Sequence, residues 1–320
     1  MFDKLNIYIS KWATDNNPWT NVYGLSRTIM AFSTALTLAL NNAETIFKPA
    51  VGIDEYPVCS NIGAISIFCL TSNDYFWLNI MRWISILILL IVASGWRPRV
   101  TALFHWWISF SLQVSGLTLD GGEQVAAVFT LLLLPIALTD PRKSHWEKIK
   151  EPEKIKDKIY AKIMALVAFS IIRIQVALLY FSSTTAKLTD PEWIDGTAVY
   201  YYLQDPMLGL NPWLEKIFNP ILSSWLIIFP TWGTLLVQIL LIVALFAPRK
   251  RRKYILIIAI CMHEVFAFFL GLISFSLIMF SILLLYLRPY EDEFKFNFLN
   301  FSTRKKIENK LNEEKLKEVV

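Results

Sequence analysis

The stretch YAKIMALVAFSIIRIQVALLYFSSTT, from Tyr160 to Thr185, decides the class of this protein. It is mainly apolar over its whole length, and a helix needs about 20 such residues to cross a bilayer. Working outward from it, seven more apolar blocks have the character of spans. They run from Gly24 to Leu40, Leu78 to Gly95, Val100 to Leu117, Gln124 to Leu138, Leu222 to Phe246, Tyr254 to Leu270 and Ile273 to Leu287. The expectation is an all-α integral membrane protein, a bundle of about eight transmembrane helices. Gly121-Gly122 is expected to turn the third span into the fourth, and Gly271 the seventh into the eighth, giving two helical hairpins.

The composition agrees. Of 320 residues 55% are hydrophobic, and the mean hydropathy of +0.46 is well above that of an ordinary soluble domain. Charged residues gather in short stretches between the apolar blocks, so the net charge of +5 belongs to loops and tails and does not point to nucleic acid. The first twenty residues hold Asp3, Lys4, Lys11, Asp15 and Pro18 without an apolar core and cleavage site, so no removable signal peptide is expected. Phe2, Leu5, Ile9 and Trp12 recur there at helical spacing with Lys4 and Lys11 between them, which predicts an N-terminal helix lying in the inner interface.

Loops rich in Lys and Arg alternate with loops poor in them, as the positive-inside rule requires if the number of crossings is right. The rich ones carry Arg97 and Arg99, then Arg142, Lys143, Lys148, Lys150, Lys154, Lys156 and Lys158, then Arg249 to Lys253. The intervening loops carry Asp54 and Glu55, then Asp120, then Asp190, Glu192, Asp195 and Asp205. Both termini are therefore expected in the cytoplasm. Residues 1–290 read as one transmembrane domain and 291–320 as a basic cytoplasmic tail, with the Lys/Glu alternation from Lys305 to Glu318 predicting an exposed helix. The segment from Pro191 to Pro220 is a long loop rich in aromatics, with Trp193, Tyr200, Tyr201, Tyr202 and Trp213, suited to resting on the outer interface or capping a cavity.

Cysteine usage suggests neither a disulfide scaffold nor a metal cluster. Cys59 and Cys69 can pair if both face an oxidising exterior, whereas Cys69 also fits simple burial in the apolar run Ala64 to Leu70.

An ionisable residue inside a span is costly in hydrocarbon, so it faces the bundle interior and is a candidate site. His105, Ser109 and Gln113 recur at every fourth residue on span three, as an interhelical hydrogen-bonding stripe or a functional one. On span five Arg173, Tyr180, Thr184 and Lys187 share another stripe, with Lys187 after the polar patch Ser182 to Thr185. A lysine held in an apolar pocket can act as a general base; a lysine at a helix end can instead snorkel to the interface. Span seven contributes His263 and Glu264, a proton relay or a packed hydrogen bond, and Asp120-Gly-Gly-Glu123 places two carboxylates at the outer mouth. Phosphate-cradling glycine loops, metal-ligand spacings and nucleophile elbows are absent.

These residues carry a resemblance. Arg173-Ile-Gln175, Tyr180-Phe, Lys187-Leu and Trp193-Ile-Asp-Gly196, with Asp120-Gly-Gly-Glu123, His263 and the block Phe275-Ser-Leu-Ile-Met279, are similar to the HTTM family, the bacterial membrane proteins that resemble the transmembrane half of vitamin K-dependent gamma-carboxylase. In that carboxylase the lysine of the Lys-Leu pair is the base that deprotonates the vitamin K hydroquinone, and Lys187 stands at its position. The resemblance implies a quinone cofactor such as menaquinol, with His263 and Glu264 assisting proton transfer and Arg173, Tyr180, Asp120, Glu123 and His105 as candidate cofactor-binding residues. His105 matches a carboxylase histidine loosely, since its spacing to the Gly-Gly pair differs. The chain ends after span eight, without the large luminal region that engages the carboxylase's protein substrate, so glutamate carboxylation is not expected to carry over.

Within that family, Asn17-Pro-Trp-Thr-Asn-Val-Tyr-Gly24-Leu-Ser-Arg27 and Tyr56-Pro-Val-Cys59 look most like the sporulation-delaying-protein B group. Members assist the maturation of a secreted antimicrobial peptide encoded beside them. This implies a multi-pass protein of a bacterial cell membrane that works with a co-encoded partner on a secreted peptide toxin precursor. Two other expectations stand beside it: a quinone-dependent, carboxylase- or epoxidase-like enzyme using Lys187 as base, and a peptide exporter or immunity protein. The last lacks the inverted repeats and broken helices that transporters often show.

Overall fold

The computed structural model describes residues 2–53, 55–149, 158–205 and 209–294. These residues are predominantly helical, and no β-strand occurs among them. The first half holds α1 (Phe2–Asp15), α2 (Asn21–Leu40), the single turn α3 (Ala43–Ile46), α4 (Tyr75–Ala93), α5 (Pro98–Ser115), α6 (Gly121–Thr139) and the long α7 (Ile159–Leu188). The second half holds α8 (Pro191–Asp195), α9 (Ala198–Gln204), α10 (Pro212–Leu222), α11 (Ile228–Val243), α12 (Arg249–Leu270) and α13 (Ile273–Leu287).

All eight apolar blocks lie in helices. Five of these are long and apolar enough to cross a membrane: α4, α6, α7, the helix from Trp225 to Phe246 that contains α11, and α12. At about 1.5 Å per residue α13 runs roughly 22 Å, less than a hydrocarbon core of about 30 Å. In α2 and α5 serines, threonines, Arg27 and His105 interrupt the apolar run and lower its hydropathy.

The faces of α7 show the membrane character directly. Met164, Val167, Ile171, Ile174, Leu178 and Phe181 recur at alternating steps of three and four, and all are exposed. The opposite face buries Ala165, Phe169, Ile172, Val176 and Tyr180 against the core. An exposed apolar stripe about 26 Å long is costly in water and favourable in lipid. The chain is a helical membrane protein. By contrast α13 is apolar all round and buries every residue from Ser281 to Leu287, so it is the central strut, packed by α2, α6, α7 and α12. Tyr286 ties it to α11 by donating its hydroxyl to the Leu241 carbonyl at 2.7 Å.

The basic loops gather at one end. There Arg97 N donates to the Lys143 carbonyl at 2.8 Å, Arg99 Nε donates to the Asp140 carbonyl at 2.7 Å, and Arg249 pairs with Glu291 at 2.6 Å. Lys162, in the first turn of α7, holds α1 at this end through the Thr14 carbonyl at 3.3 Å. His145 fills the space that the bare backbones of Gly24 and Gly95 leave open: a Cβ on Gly95 would lie 2.5 Å from its ring.

Several sequence expectations change here. Gly121 and Gly122 do not form the turn; they open α6, because Asp120 caps it by accepting from Gly122 N at 2.8 Å. A Cβ on Gly122 would come within 2.9 Å of the Phe275 main chain, so the glycine permits the close approach of α6 to α13. Gly271 does end α12, at φ 70. The segment from Pro191 to Pro220 is not one loop but holds α8, α9 and α10, and the crossing helix begins at Trp225 rather than Leu222. Cys59 and Cys69 are joined in a disulfide beside the end of α5, at the end of the bundle opposite the basic loops. Asp54, Lys150, Lys154, Lys156 and the tail from 295 to 320, including the Lys305 to Glu318 alternation, lie outside the described residues.

Candidate functional site

Lys187 sits in the last turn of α7, four residues after Ser183, so the two side chains share a face. Its Nζ donates to Ser183 Oγ at 2.8 Å and lies 5.1 Å from the centre of the Trp193 ring. Local sequence builds this corner. Asp190 caps α8, accepting from Glu192 N at 3.1 Å, Pro191 takes the first helical position, and Gly196 ends the helix in the left-handed region at φ 87. Trp193 is thereby pressed against Ala198 and Leu235 and offers Lys187 a fixed aromatic face. The Lys-Leu and Trp-x-x-Gly patterns thus meet in one structure. No carboxylate lies within ion-pair distance of Lys187 among the described residues.

One turn and two turns deeper, α7 is tied to its neighbours by single polar contacts. Thr184 donates to Gln238 Oε1 of α11 at 3.3 Å, and the Tyr180 hydroxyl lies 3.0 Å from His263 Nε2 of α12. His263 is buried, its ring rests edge-on against Phe266 and Phe275, and its Nδ1 has no partner. Glu264 points about 100° away round the helix, is exposed from the protein, and accepts from the Ser276 hydroxyl at 3.0 Å. His263 and Glu264 therefore serve different contacts.

The acidic pair takes the same end of the bundle. Asp120 Oδ2 accepts from Ser274 at 2.8 Å, linking α6 to α13. Glu123 is completely buried, and its two oxygens accept from Thr34 at 3.2 Å and Thr37 at 2.8 Å, both on α2. The start of α13, Ser274 to Ser276, is consequently the crossing point of contacts from α2, α6 and α12.

Arg173 and His105 stand apart from this set. Arg173 lies fourteen residues before Lys187 on α7, roughly 21 Å along the helix. His105 belongs to a buried polar cluster towards the basic end, where Arg27 Nη2 donates to Thr101 at 2.6 Å and Arg27 Nη1 lies 3.4 Å from His145 Nδ1. His105 Nε2, Ser109 Oγ and Arg27 Nε there are buried without partners. The His145 imidazole, in the loop after α6, is held down to about pH 2 by burial first and then by the charges of Arg27 and Arg142. Arg142 in turn grips both oxygens of Asp140, at 2.9 and 2.8 Å. The eight candidate residues thus fall at two levels, with Lys187, Tyr180, His263, Glu264, Asp120 and Glu123 towards one end and Arg173 and His105 towards the other. No hydrogen bond joins Lys187 to Glu123, His263 or Glu264.

Sequence reading passed over Thr34 and Thr37, whose signal was a pair of hydroxyls one turn apart on α2, and Arg27, Asp140 and His145, whose partners are distant in sequence. No group of three or more His, Cys, Asp or Glu side chains fit to hold a metal occurs among the described residues.

Searches against protein-family models and against solved structures return no match. Two relatives in Bacillus subtilis strain 168 do match. The chain is 52% identical over 299 residues to the uncharacterized protein YitO, covering 93% of this chain and 95% of that one. It is 36% identical over 282 residues to the sporulation-delaying protein SdpB, covering 88% of this chain and 85% of that one. With that identity across nearly its whole length, the chain belongs to the SdpB family.

Proposed function

We propose that this protein is a multi-pass factor of the bacterial cell membrane, required to mature a secreted antimicrobial peptide of the sporulation-delaying type. It crosses the bilayer eight times with both termini in the cytoplasm and acts, with a co-encoded partner, on the toxin precursor near the extracytoplasmic face. The observation that carries this reading is the relationship to SdpB over 282 residues. Two features support the orientation. The basic loops collect at one end, as cytoplasmic loops do, and the Cys59–Cys69 disulfide lies at the other, where an oxidising exterior keeps such bonds.

Deletion of the gene tests the maturation role. Mass spectrometry of the medium is expected to show precursor or nothing where the parent strain shows mature peptide, with recovery on complementation. Mature, active peptide from the deletion strain at parental level overturns the reading.

A second reading, a quinone-dependent HTTM-type enzyme, is favoured by one observation. Lys187 is held by a neutral hydroxyl and an aromatic ring rather than by a carboxylate, and the buried Tyr180–His263 pair below it leaves His263 Nδ1 free. These groups suit the hydroxyls of a quinol, which would supply reducing equivalents when bound. In this reading Lys187 in its neutral form donates one N–H to Ser183 and accepts a quinol hydroxyl proton on the Nζ lone pair, and Tyr180 orients His263 through Nε2. Purified protein in lipid nanodiscs is then expected to bind menaquinol and, with dioxygen supplied as the oxidant, to turn it over; failure to do either removes this reading and leaves the first intact.

A further inference from the structure

The basic end holds a groove of about 550 Å³ between the start of α12 and the segment that follows α13. Four cations line it, Arg249, Lys250, Lys253 and Arg288, against the single lining carboxylate of Asp292. The groove's apolar lining comes from Tyr254, Leu256 and Pro289, with the buried Leu287 behind them.

These cations are placed against local electrostatics. Residues Arg249 to Lys253 are all basic and open α12, where the helix dipole is positive and no acidic residue stands in the first turn. The neighbouring groups compensate them only in part. Glu291 takes Arg249 at 2.6 Å. Arg288 donates Nε and Nη2 to the main-chain carbonyl of Asp292 and stacks 3.8 Å from the Phe294 ring. Lys253 lies over Tyr254 at 4.7 Å, and Lys250 makes no ion pair among the described residues. Arg252, also in the opening turns of α12, donates Nε to the Ala247 carbonyl at 2.9 Å, and Arg173 of α7 has its Nε buried without a partner. A surplus of positive charge in a concave, half-apolar site calls for an anion with an apolar body. The volume lies within the range of small-molecule sites and well above what a bare phosphate fills.

We propose that this groove binds the phosphodiester headgroup of an anionic phospholipid of the inner leaflet, with the acyl chains running along Leu256 and the exposed Tyr254. Lys250, Lys253 and Arg288 contact the phosphate, and Arg249 is kept in place by Glu291. The site depends on the basic end lying at headgroup depth and is independent of the toxin-maturation reading.

The test uses the full chain purified in a zwitterionic detergent. Native mass spectrometry and thermal melting are measured with added phosphatidylglycerol, phosphatidylcholine or inorganic phosphate. The expected result is retention of phosphatidylglycerol through gas-phase desolvation together with a rise in melting temperature, and neither with the other two. The Lys250→Gln/Lys253→Gln variant is expected to bind phosphatidylglycerol about 30-fold more weakly, roughly fivefold per lysine at headgroup depth, with unchanged melting in detergent alone. A control, Lys11→Gln/Lys143→Gln, removes the same charge from exposed lysines outside the groove and is expected to bind as the parent does. Equal binding of phosphatidylcholine overturns the proposal without any variant. Equal loss in both variants overturns it in favour of diffuse surface charge, and an equal melting shift with inorganic phosphate overturns the lipid as ligand in favour of a free anion.

Discussion

At the basic end Arg142 and Asp140 form a buried two-pronged ion pair, and His145 is wedged between two glycines and surrounded by Arg27, Thr28 and Tyr23. Around Lys187 at the opposite end the contacts are made by hydroxyls, Thr34 and Thr37 on Glu123, Ser274 on Asp120, Ser276 on Glu264 and Tyr180 on His263, while the Cys59–Cys69 disulfide and Arg82, which donates to the Leu38 and Asn41 carbonyls, secure the α2–α4–α5 side of that end. Charged, interlocking contacts are expensive to break and fix the helix ends relative to one another. Single hydroxyl contacts each contribute on the order of 1 kcal/mol and can be exchanged for a ligand at little cost. The helices around Lys187 are therefore joined by weaker contacts than those that clamp the basic end.

The largest effect should come from the clamp. Asp140→Ala leaves the Arg142 guanidinium buried without a counter-charge and is expected to cost about 3–5 kcal/mol. At the other end Asp120→Ala removes a helix cap and one serine contact and should cost about 1 kcal/mol. Denaturant unfolding in detergent checks the pair; equal losses would erase the distinction between the two ends. Next comes Gly95→Ala, which meets the His145 ring at 2.5 Å and must hold φ 86, for a loss of about 3 kcal/mol. Gly233, with open space around it inside α11, should accept alanine with no loss and a gain of under about 1 kcal/mol.

Acid should weaken the clamp. An unfolded histidine titrates near pH 6.5, whereas folded His145 is held down to about 2 by burial and by Arg27 and Arg142. Between those values the unfolded chain binds a proton that the folded chain refuses, so stability rises with pH across this window and falls on acidification below about 6.5. The slope attributable to this group is at most about 1.4 kcal/mol per pH unit. Melting profiles of the parent and of His145→Gln from pH 7 to 4.5 check this, the variant being expected to lose that part of the slope.

Much of this contrast could be read from the sequence, and the rest could not for identifiable reasons. The helices of the bundle follow from apolar block length, and the clustering of basic loops at one end follows from charge alternation, because both signals are local. The polar patch from Ser182 to Thr185 marks the neighbourhood of Lys187, although the stripe read there put Thr184 rather than Ser183 with the lysine. The pairing of Tyr180 with His263 spans 83 residues and depends on how α7 crosses α12, which no local pattern encodes. Asp120 and the glycines misled in the other direction: Gly-Gly reads as a turn, but an aspartate immediately before it caps a helix, and the second glycine is needed where α6 meets α13. The aromatic stretch after Pro191 hid three helices because α8 and α9 have only five and seven residues and Pro220 inside α10 reads as a break.

The smallest effect on stability, and the most informative about function, belongs to Lys187. It is half-buried and held by one hydroxyl and one ring, so Lys187→Ala should cost about 1 kcal/mol or less. If the lysine moves a proton, that variant should lose activity by a factor of about 10² or more, the usual contribution of a positioned base. Lys187→Arg separates this from anchoring. Arginine keeps a cation over Trp193 and a donor towards Ser183 but does not give up its proton. A lysine that anchors the helix end is replaced by arginine without loss of mature peptide in the medium; a lysine that acts as a base is not. With both variants at parental abundance in the membrane, peptide yield alone then states whether the corner around Lys187 carries out chemistry or positions another component.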